Sequence, residues 1–214
     1  MILSARLLIR KEGGRRANGF KSLPCAFALL AACLSTWAQN VEPTRLIGVP
    51  LQYMQDGAIS GCGARIIAMK VRDDLSTEAS EVSVNLNANG SALVKAVAYA
   101  RFAPGATSPR STKVSAAWAK ADGSPATRML GKAYSGDDGL SLLYATDLDG
   151  ALSVVKALLD GAPVQVSVTR STEKGYRIMS GVASMSEPER QQLASCIAEL
   201  VHGMESRSGT KSPP

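Results

Sequence analysis

The sequence predicts an α+β domain: a mostly antiparallel β-sheet with two amphipathic helices, over about residues 147–160 and 186–203, packed on one face. Apolar and polar residues alternate within 81–86 and again within 91–102, which is the pattern of strands with one buried face. An Asn-Gly pair between these two segments suits a tight hairpin turn. In both helical segments apolar residues recur three and four positions apart, and such stripes must be buried. The inward faces of the strands are the surface that can bury them.

The remaining strands are shorter or less regular. They are predicted, in chain order, at 61–71, 114–120, 140–145, 164–170 and 176–183. In 91–102, the small apolar set that begins with Ala92 and Val94 is expected to face the core.

The ends of both helices carry recognisable signals. Thr146 and Asp149 are the predicted capping pair of the first helix, and Gly161 is its predicted end. Ser186 with Glu189 opens the second helix. We therefore expect a single domain over 39–204, followed by a disordered tail at 205–214, whose composition is polar and rich in Ser, Gly and Pro.

Residues 1–38 have the organisation of a signal peptide. Six basic residues come first, a run without charge covers 22–37, and the small residue Ala38 precedes the polar Gln39. The uncharged run is interrupted by Pro24 and is shorter than the about 20 apolar residues that a membrane-spanning helix needs. We therefore expect cleavage before Gln39 and an exported protein that is periplasmic or secreted.

Lipidation is the alternative for the same segment. The sequence Leu30-Ala31-Ala32-Cys33 resembles the bacterial lipobox, in which cleavage leaves the cysteine as an acylated N-terminus. Acylation at Cys33 would make the protein an outer-membrane lipoprotein. Contact with a membrane is expected only in that case.

Loss of the leader removes most of the excess positive charge. Residues 39–214 carry 18 basic and 17 acidic side chains, so the mature chain is close to neutral. A surface that binds nucleic acid needs a clustered excess of cations, and none is visible. The aromatic residues are few and scattered, which leaves no stacking platform for single-stranded nucleic acid and also argues mildly against a sugar-binding cleft. We therefore expect no nucleic-acid partner.

Two cysteines remain after the leader is removed. Cys62 lies at the start of the predicted strand 61–71, and Cys196 lies on the apolar stripe of the last helix. Disulfides persist in the compartments to which exported proteins are sent, so we expect a bond between Cys62 and Cys196. Two buried free thiols are the alternative, because free cysteine packs like a small apolar residue.

The segment 103–113 is predicted to be an exposed loop, because it has no apolar period and is rich in Pro, Gly, Ser and Thr. It is the candidate partner-binding loop. Its residues of interest are Ala103, Pro104, Pro109, Arg110 and Lys113.

Catalytic and cofactor motifs are missing from the sequence. It contains no Gly-x-Ser-x-Gly elbow, no dinucleotide-binding glycine pattern and no phosphate-binding Walker loop. A single histidine, His202, cannot build a zinc site of ordinary composition. The clustered aspartates at 137–138 and at 147 and 149 suit a turn and a helix N-terminus. We predict no catalytic residue, no metal ligand and no cofactor.

These observations favour a non-catalytic envelope or secreted protein that binds an envelope protein or a ligand. A carboxylate-dependent hydrolase acting on envelope material is one alternative, because the two carboxylates of such an enzyme need not be close in sequence. A lipid-anchored structural protein of the outer membrane is the other.

Overall fold

Two β-sheets and two helices make up the part of the chain that the computed structural model describes, residues 42–43, 45–175 and 177–208. The chain divides between Ala38 and Gln39, and every described residue belongs to the second unit. The predicted signal peptide, including Cys33, and residues 209–214 lie outside the described residues.

Strands dominate the described residues. In chain order the elements are β1 (Glu42–Pro43), β2 (Arg45–Gln55), β3 (Ala58–Val71), β4 (Thr77–Asn87), β5 (Ala92–Tyr99), β6 (Ser111–Thr112), β7 (Val114–Ala121), β8 (Met129–Ser135), β9 (Leu142–Thr146), α1 (Leu148–Asp160), β10 (Pro163–Arg170), β11 (Arg177–Val182) and α2 (Glu187–Ser208). The prediction of a mostly antiparallel sheet with two helices is confirmed.

The larger sheet has seven strands in the order β2-β3-β4-β5-β9-β8, with β6 beside β5. All of its neighbours are antiparallel. Ala64 lies opposite Val84, and Val84 lies opposite Val94, so one row of buried side chains crosses three strands. The prediction that Ala92 and Val94 face the core is confirmed, since each is at most 1% exposed.

The described residues also form a second, smaller sheet. It has four strands in the order β1-β11-β10-β7, and only its β1–β11 pair is parallel. The sequence predicted one sheet. The alternation of apolar residues along a strand shows which side chains are buried, but it does not show which strand pairs with it. The pairing of β7 with β10 could therefore not be predicted from the alternation.

The two helices contact different strands. Helix α1 packs against β7 and β10 of the smaller sheet and against β4 and β5 of the larger one. Helix α2 packs against β2 and β3. Buried side chains from both helices, including Val155 and Leu193, belong to the same core cluster as the strands.

Two of the three predicted helix-end signals are confirmed, and the N-cap of α1 differs. Asp147 is the N-cap of α1, where the predicted pair was Thr146 and Asp149. Thr146 instead ends β9, and its hydroxyl donates to the carbonyl of Arg128. Gly161 ends α1 in the left-handed conformation, at φ 64°.

At the second helix, Ser186 donates its backbone N–H to Oε2 of Glu189 at 2.7 Å, as the capping signal predicts. Helix α2 then continues to Ser208, past the predicted start of the tail at residue 205.

Candidate functional site

A disulfide joins Cys62 of β3 to Cys196 of α2, as the sequence predicted. The Cα atoms are 5.8 Å apart, within the range that disulfide geometry allows. Both residues are buried, at 0% and 3% exposure. The bond therefore ties the terminal helix to β3 of the larger sheet and is shielded from solvent.

An open cleft of about 510 Å³ lies on the outer face of the smaller sheet. Trp118 of β7 lines it beside Ile178 of β11, and Ser167 lies between these two residues across the sheet. Ala119 and Val166, the next residues along their strands, point into the core and are fully buried. The alternation along β7 and β10 therefore turns Trp118 outward.

Polar side chains line the rest of this cleft. Lys120 lies opposite Gln165 across the β7–β10 pair, and Ser124 follows in the turn after β7. Neither the Lys120 ammonium, the Gln165 amide nor the Ser124 hydroxyl has a hydrogen-bond or ion-pair partner among the described residues. The cleft thus combines one aromatic ring with three polar groups that are free to meet a ligand.

The wall of the cleft is held in place by hydrogen bonds. Thr127 donates its backbone N–H to the carbonyl of Ala119 at 2.7 Å, and its hydroxyl accepts from the N–H of Ala119 at 3.0 Å. These bonds fold the segment with Pro125 and Ala126 back over β7, so that both residues line the cleft. The cleft is therefore formed by fixed parts of the chain.

The outermost strand of the larger sheet is β8, and its second edge pairs with no described strand. All seven of its residues are exposed. Three of them are large and apolar: Met129 is 51% exposed, Leu130 43% and Tyr134 64%. An open strand edge presents a row of unpaired backbone N–H and C=O groups, to which another extended chain can add.

The opposite edge of the same sheet is covered in part by the chain itself. Gly48 of β2 donates its N–H to the carbonyl of Ser184, and the N–H of Ser184 donates to Leu46, both at 2.9 Å. Of the two outer strands of this sheet, only β8 is therefore open along its whole length in the described part of the chain.

The predicted loop 103–113 is exposed over residues 103–108, which include Ala103 and Pro104. Its last part is more ordered than predicted, because Ser111–Thr112 forms strand β6 against β5. The carbonyl of Arg110 accepts from Ala100 at 2.7 Å, and that of Lys113 accepts from Ser171 at 2.9 Å. Such backbone pairing needs no apolar period, which is why the sequence did not indicate it. Pro109 is half-buried.

Two other clefts are more polar. One, of about 570 Å³, lies between the β2–β3 and β4–β5 turns and includes Asp56 and Asn87. The other, of about 240 Å³, lies beside Glu173 and Arg177. Loop 103–113 lines none of the three clefts, and none of them contains the carboxylate pair that the hydrolase hypothesis requires.

A chain of ion pairs links the two sheets. Arg72 and Arg177 both contact Glu78 on β4, and Arg177 and Arg170 both contact Glu173. Burial alone would raise the pKa of Glu78, but the guanidinium groups of Arg177 and Arg72 together outweigh burial and lower it. Each charged group in this network of ion pairs has a partner of opposite charge, so the network has a structural role.

The clustered aspartates have structural roles. Asp138 accepts from the backbone N–H groups of Leu140 and Ser141, at 2.8 and 2.9 Å. Asp147 accepts from the N–H groups of Gly150 and Arg128, at 2.6 and 2.8 Å. Within the described ranges there is no group of three or more side chains able to hold a metal ion.

No protein-family model, no curated protein and no solved structure matches this chain. No helix in the described part of the chain is long and apolar enough to span a membrane. Function is therefore inferred from the geometry of the residues.

Sequence reasoning missed both candidate surfaces. Trp118 was placed on a strand, but the partners of that strand, and hence Gln165 and Ile178, could not be derived from its pattern. Residues 126–134 were weakly patterned and were not predicted as a strand, because β8 buries neither face and so needs no alternation.

Proposed function

We propose that this protein is exported and acts as a non-catalytic interaction protein, which binds an extended segment of a partner polypeptide along the open edge of β8. The observation that carries the proposal is the exposure of every residue of β8 on an edge without a described neighbour. Backbone hydrogen bonds would supply the affinity of an added strand, and side chains on alternate positions would supply its specificity.

The register of β8 supports a contact on the outer face of the larger sheet. Leu130 lies beside Ala145, and Tyr134 lies beside Leu143, on the face opposite to the buried Thr146 and Leu142. An added strand would bring its own side chains against Leu130 and Tyr134. Burial of such apolar area contributes about 25 cal/mol per Å².

The edge disfavours pairing with a second copy of itself. The β8–β9 register is irregular between Leu130 and Tyr134, where Gly131 has a positive φ of 75°. In a symmetric antiparallel pair centred on the middle of β8, Lys132 of each copy would lie opposite the other, and like charges there are destabilising. The partner is therefore a different polypeptide, with an acidic side chain opposite Lys132.

Site-specific photo-crosslinking tests this proposal. A photoreactive amino acid at Ala133 is expected to give a defined adduct in cells that export the protein, mapped by mass spectrometry to one extended segment. The double change Leu130→Asp and Tyr134→Asp should abolish the adduct. The matched control is the double change Leu152→Asp and Val201→Asp, which introduces the same charge at exposed apolar residues of the two helices and should leave the adduct unchanged. An adduct that forms equally in both variants, or none in any, would contradict the proposal.

Export is part of the same proposal. The disulfide supports it, because such bonds persist mainly in oxidising compartments. The protein is released to the periplasm or medium after cleavage before Gln39, and acylation at Cys33 is the alternative that would keep it on the outer membrane. The residues 103–108 of the candidate loop offer a second exposed surface for a partner.

The arrangement of the helices belongs to this proposal as well. We place both on the core face of the larger sheet, which leaves its outer face open beside β8. The contacts of α1 with β4 and β5, and of α2 with β2 and β3, support this arrangement.

A further inference from the structure

The low aromatic content of the sequence argues mildly against a sugar-binding cleft, but the alternation along β7 turns one aromatic ring, that of Trp118, into an open cleft. We infer that the cleft around Trp118 binds a single pyranose ring that carries a carboxylate, as a hexuronic acid does. This site is separate from β8, and its argument does not depend on the proposed strand addition.

The indole ring determines the shape of the ligand. Trp118 is half-buried and lines an open cleft together with Ile178 and Pro125, so the C–H face of a saturated ring can stack against its indole. The π face of an indole carries negative charge density, which attracts the polarised C–H groups of a sugar ring. An aromatic ligand would instead be favoured by an apolar slot that covers both of its faces, and this cleft has one aromatic wall.

The polar groups determine the chemistry of its substituents. Gln165 can both donate and accept, and the Ser124 hydroxyl can do the same, so the two match ring hydroxyl groups of either role. Neither group has a side-chain partner among the described residues, so binding need not break an internal bond.

The charge of the cleft determines the charge of the ligand. Lys120 is the one charged side chain that lines it, and no described carboxylate pairs with it. A carboxylate on the sugar would complement this ammonium group. One aromatic ring and a cleft of about 510 Å³ suit one sugar residue.

Intrinsic fluorescence provides a direct assay, because Trp37 and Trp118 are the two tryptophans of the chain. In the full chain with Trp37→Phe, the emission reports Trp118 alone. Titration with methyl β-D-glucuronide is expected to shift that emission with a Kd of about 1 mM, typical of a ligand of this size. Methyl β-D-glucoside, which lacks the carboxylate, should bind about fivefold more weakly because it loses one exposed charge contact.

Substitutions then assign the contacts. Lys120→Gln should weaken binding of the glucuronide about fivefold and leave binding of the glucoside unchanged. Lys113→Gln is the matched control, since Lys113 is an exposed lysine directly before β7 and does not line the cleft. Gln165→Ala, followed by calorimetry with Trp118 in place, should weaken both ligands. Circular dichroism checks that each variant is folded.

Three results would overturn the inference. The first is the absence of any emission shift or heat of binding with either sugar at concentrations well above the expected Kd of about 1 mM. The second is equal binding of the two sugars, which would remove the role of Lys120. The third is an equal loss in Lys113→Gln and Lys120→Gln, which would indicate unspecific attraction of an anion.

Discussion

Gly63 shows how a single residue sets the distance between two strands. A Cβ atom at this position of β3 would overlap the carbonyl oxygen of Val84 and would lie 2.7 Å from Oδ1 of Asn85. Backbone atoms of a central strand cannot yield as a flexible side chain can. The close packing of β3 on β4 therefore requires glycine here.

A pair of glycine substitutions tests this reasoning. Gly63→Ala is expected to lower the free energy of unfolding by about 2 kcal/mol, because overpacked sites must displace their neighbours. Gly203→Ala in α2 meets nothing within 4 Å and should raise it by about 0.7 kcal/mol, the difference in helix propensity. Urea unfolding measures both. If Gly63→Ala leaves the free energy of unfolding unchanged, β3 and β4 can move apart at no cost.

Glu78 should make stability depend on pH. Its side chain is 13% exposed, and Arg72 lies 2.8 Å from Oε1. Because the pKa of Glu78 is lower in the folded than in the unfolded protein, its contribution is complete above the unfolded pKa. That contribution is lost as the pH falls through the lowered folded pKa.

The corresponding prediction concerns Glu78→Gln. At neutral pH this variant should lose about 2 kcal/mol of stability, because two partly buried guanidinium groups lose their charged acceptor. The difference from the wild type should shrink as the solution becomes acidic. Glu199→Gln, a substitution at an exposed position on α2, is the control and should leave the stability of the protein unchanged. Thermal unfolding followed across pH would refute the idea if the deficit of Glu78→Gln stayed constant.

At the scale of elements, Asp147 joins the start of α1 to the start of β8. Its Oδ1 accepts from Gly150 inside the helix, and its Oδ2 accepts from Arg128 just before β8. Burial would raise the pKa of Asp147, and the two backbone N–H donors lower it overall. One carboxylate therefore caps the helix and positions the edge strand.

Removal of this carboxylate should affect both elements. Asp147→Ala is expected to cost about 1.5 kcal/mol, the loss of a helix cap and of a second charged hydrogen bond. Asp149→Ala, in the first turn of the same helix, should cost about 0.5 kcal/mol, because it loses only its interaction with the helix dipole. Hydrogen exchange should show faster exchange in β8 for Asp147→Ala alone. Equal exchange in the two variants would contradict this link.

The sequence predicted elements that bury one face and missed those that bury none. Strand β5 alternates because Ala92, Val94 and their successors face the core. Strand β8 has no such constraint, and β2 contains Pro50, which suits an outer strand but weakens a strand pattern. The Trp118 cleft depends on the pairing of β7 with β10, over 40 residues apart, which no local pattern encodes.

For the whole molecule, the main covalent constraint is the Cys62–Cys196 bond. It closes a loop with a sequence separation of 134. On the loop-entropy model such a bond stabilises the folded state by about 5 kcal/mol, chiefly by restricting the unfolded chain. The two ends of the domain are thus kept together even when the core is disrupted.

Comparison of a double cysteine variant with the reduced wild type separates the effect of the bond from the effect of packing the sulfur atoms. The double variant Cys62→Ala with Cys196→Ala should lose about 5 kcal/mol of stability, and reductant should have no further effect on it. The wild type in reductant should unfold at nearly the same urea concentration as this variant. A double variant as stable as the oxidised wild type would show that the bond contributes nothing.

We propose that the protein is exported, begins after its leader and carries one internal disulfide. The intact mass of the protein recovered from the periplasm or medium, before and after reduction, decides this. We expect a chain that starts at Gln39, carries no acyl group and gains two hydrogen atoms on reduction. A chain that starts at Met1 and gains no mass on reduction would contradict it, and a start at Cys33 with added acyl mass would identify the lipoprotein instead.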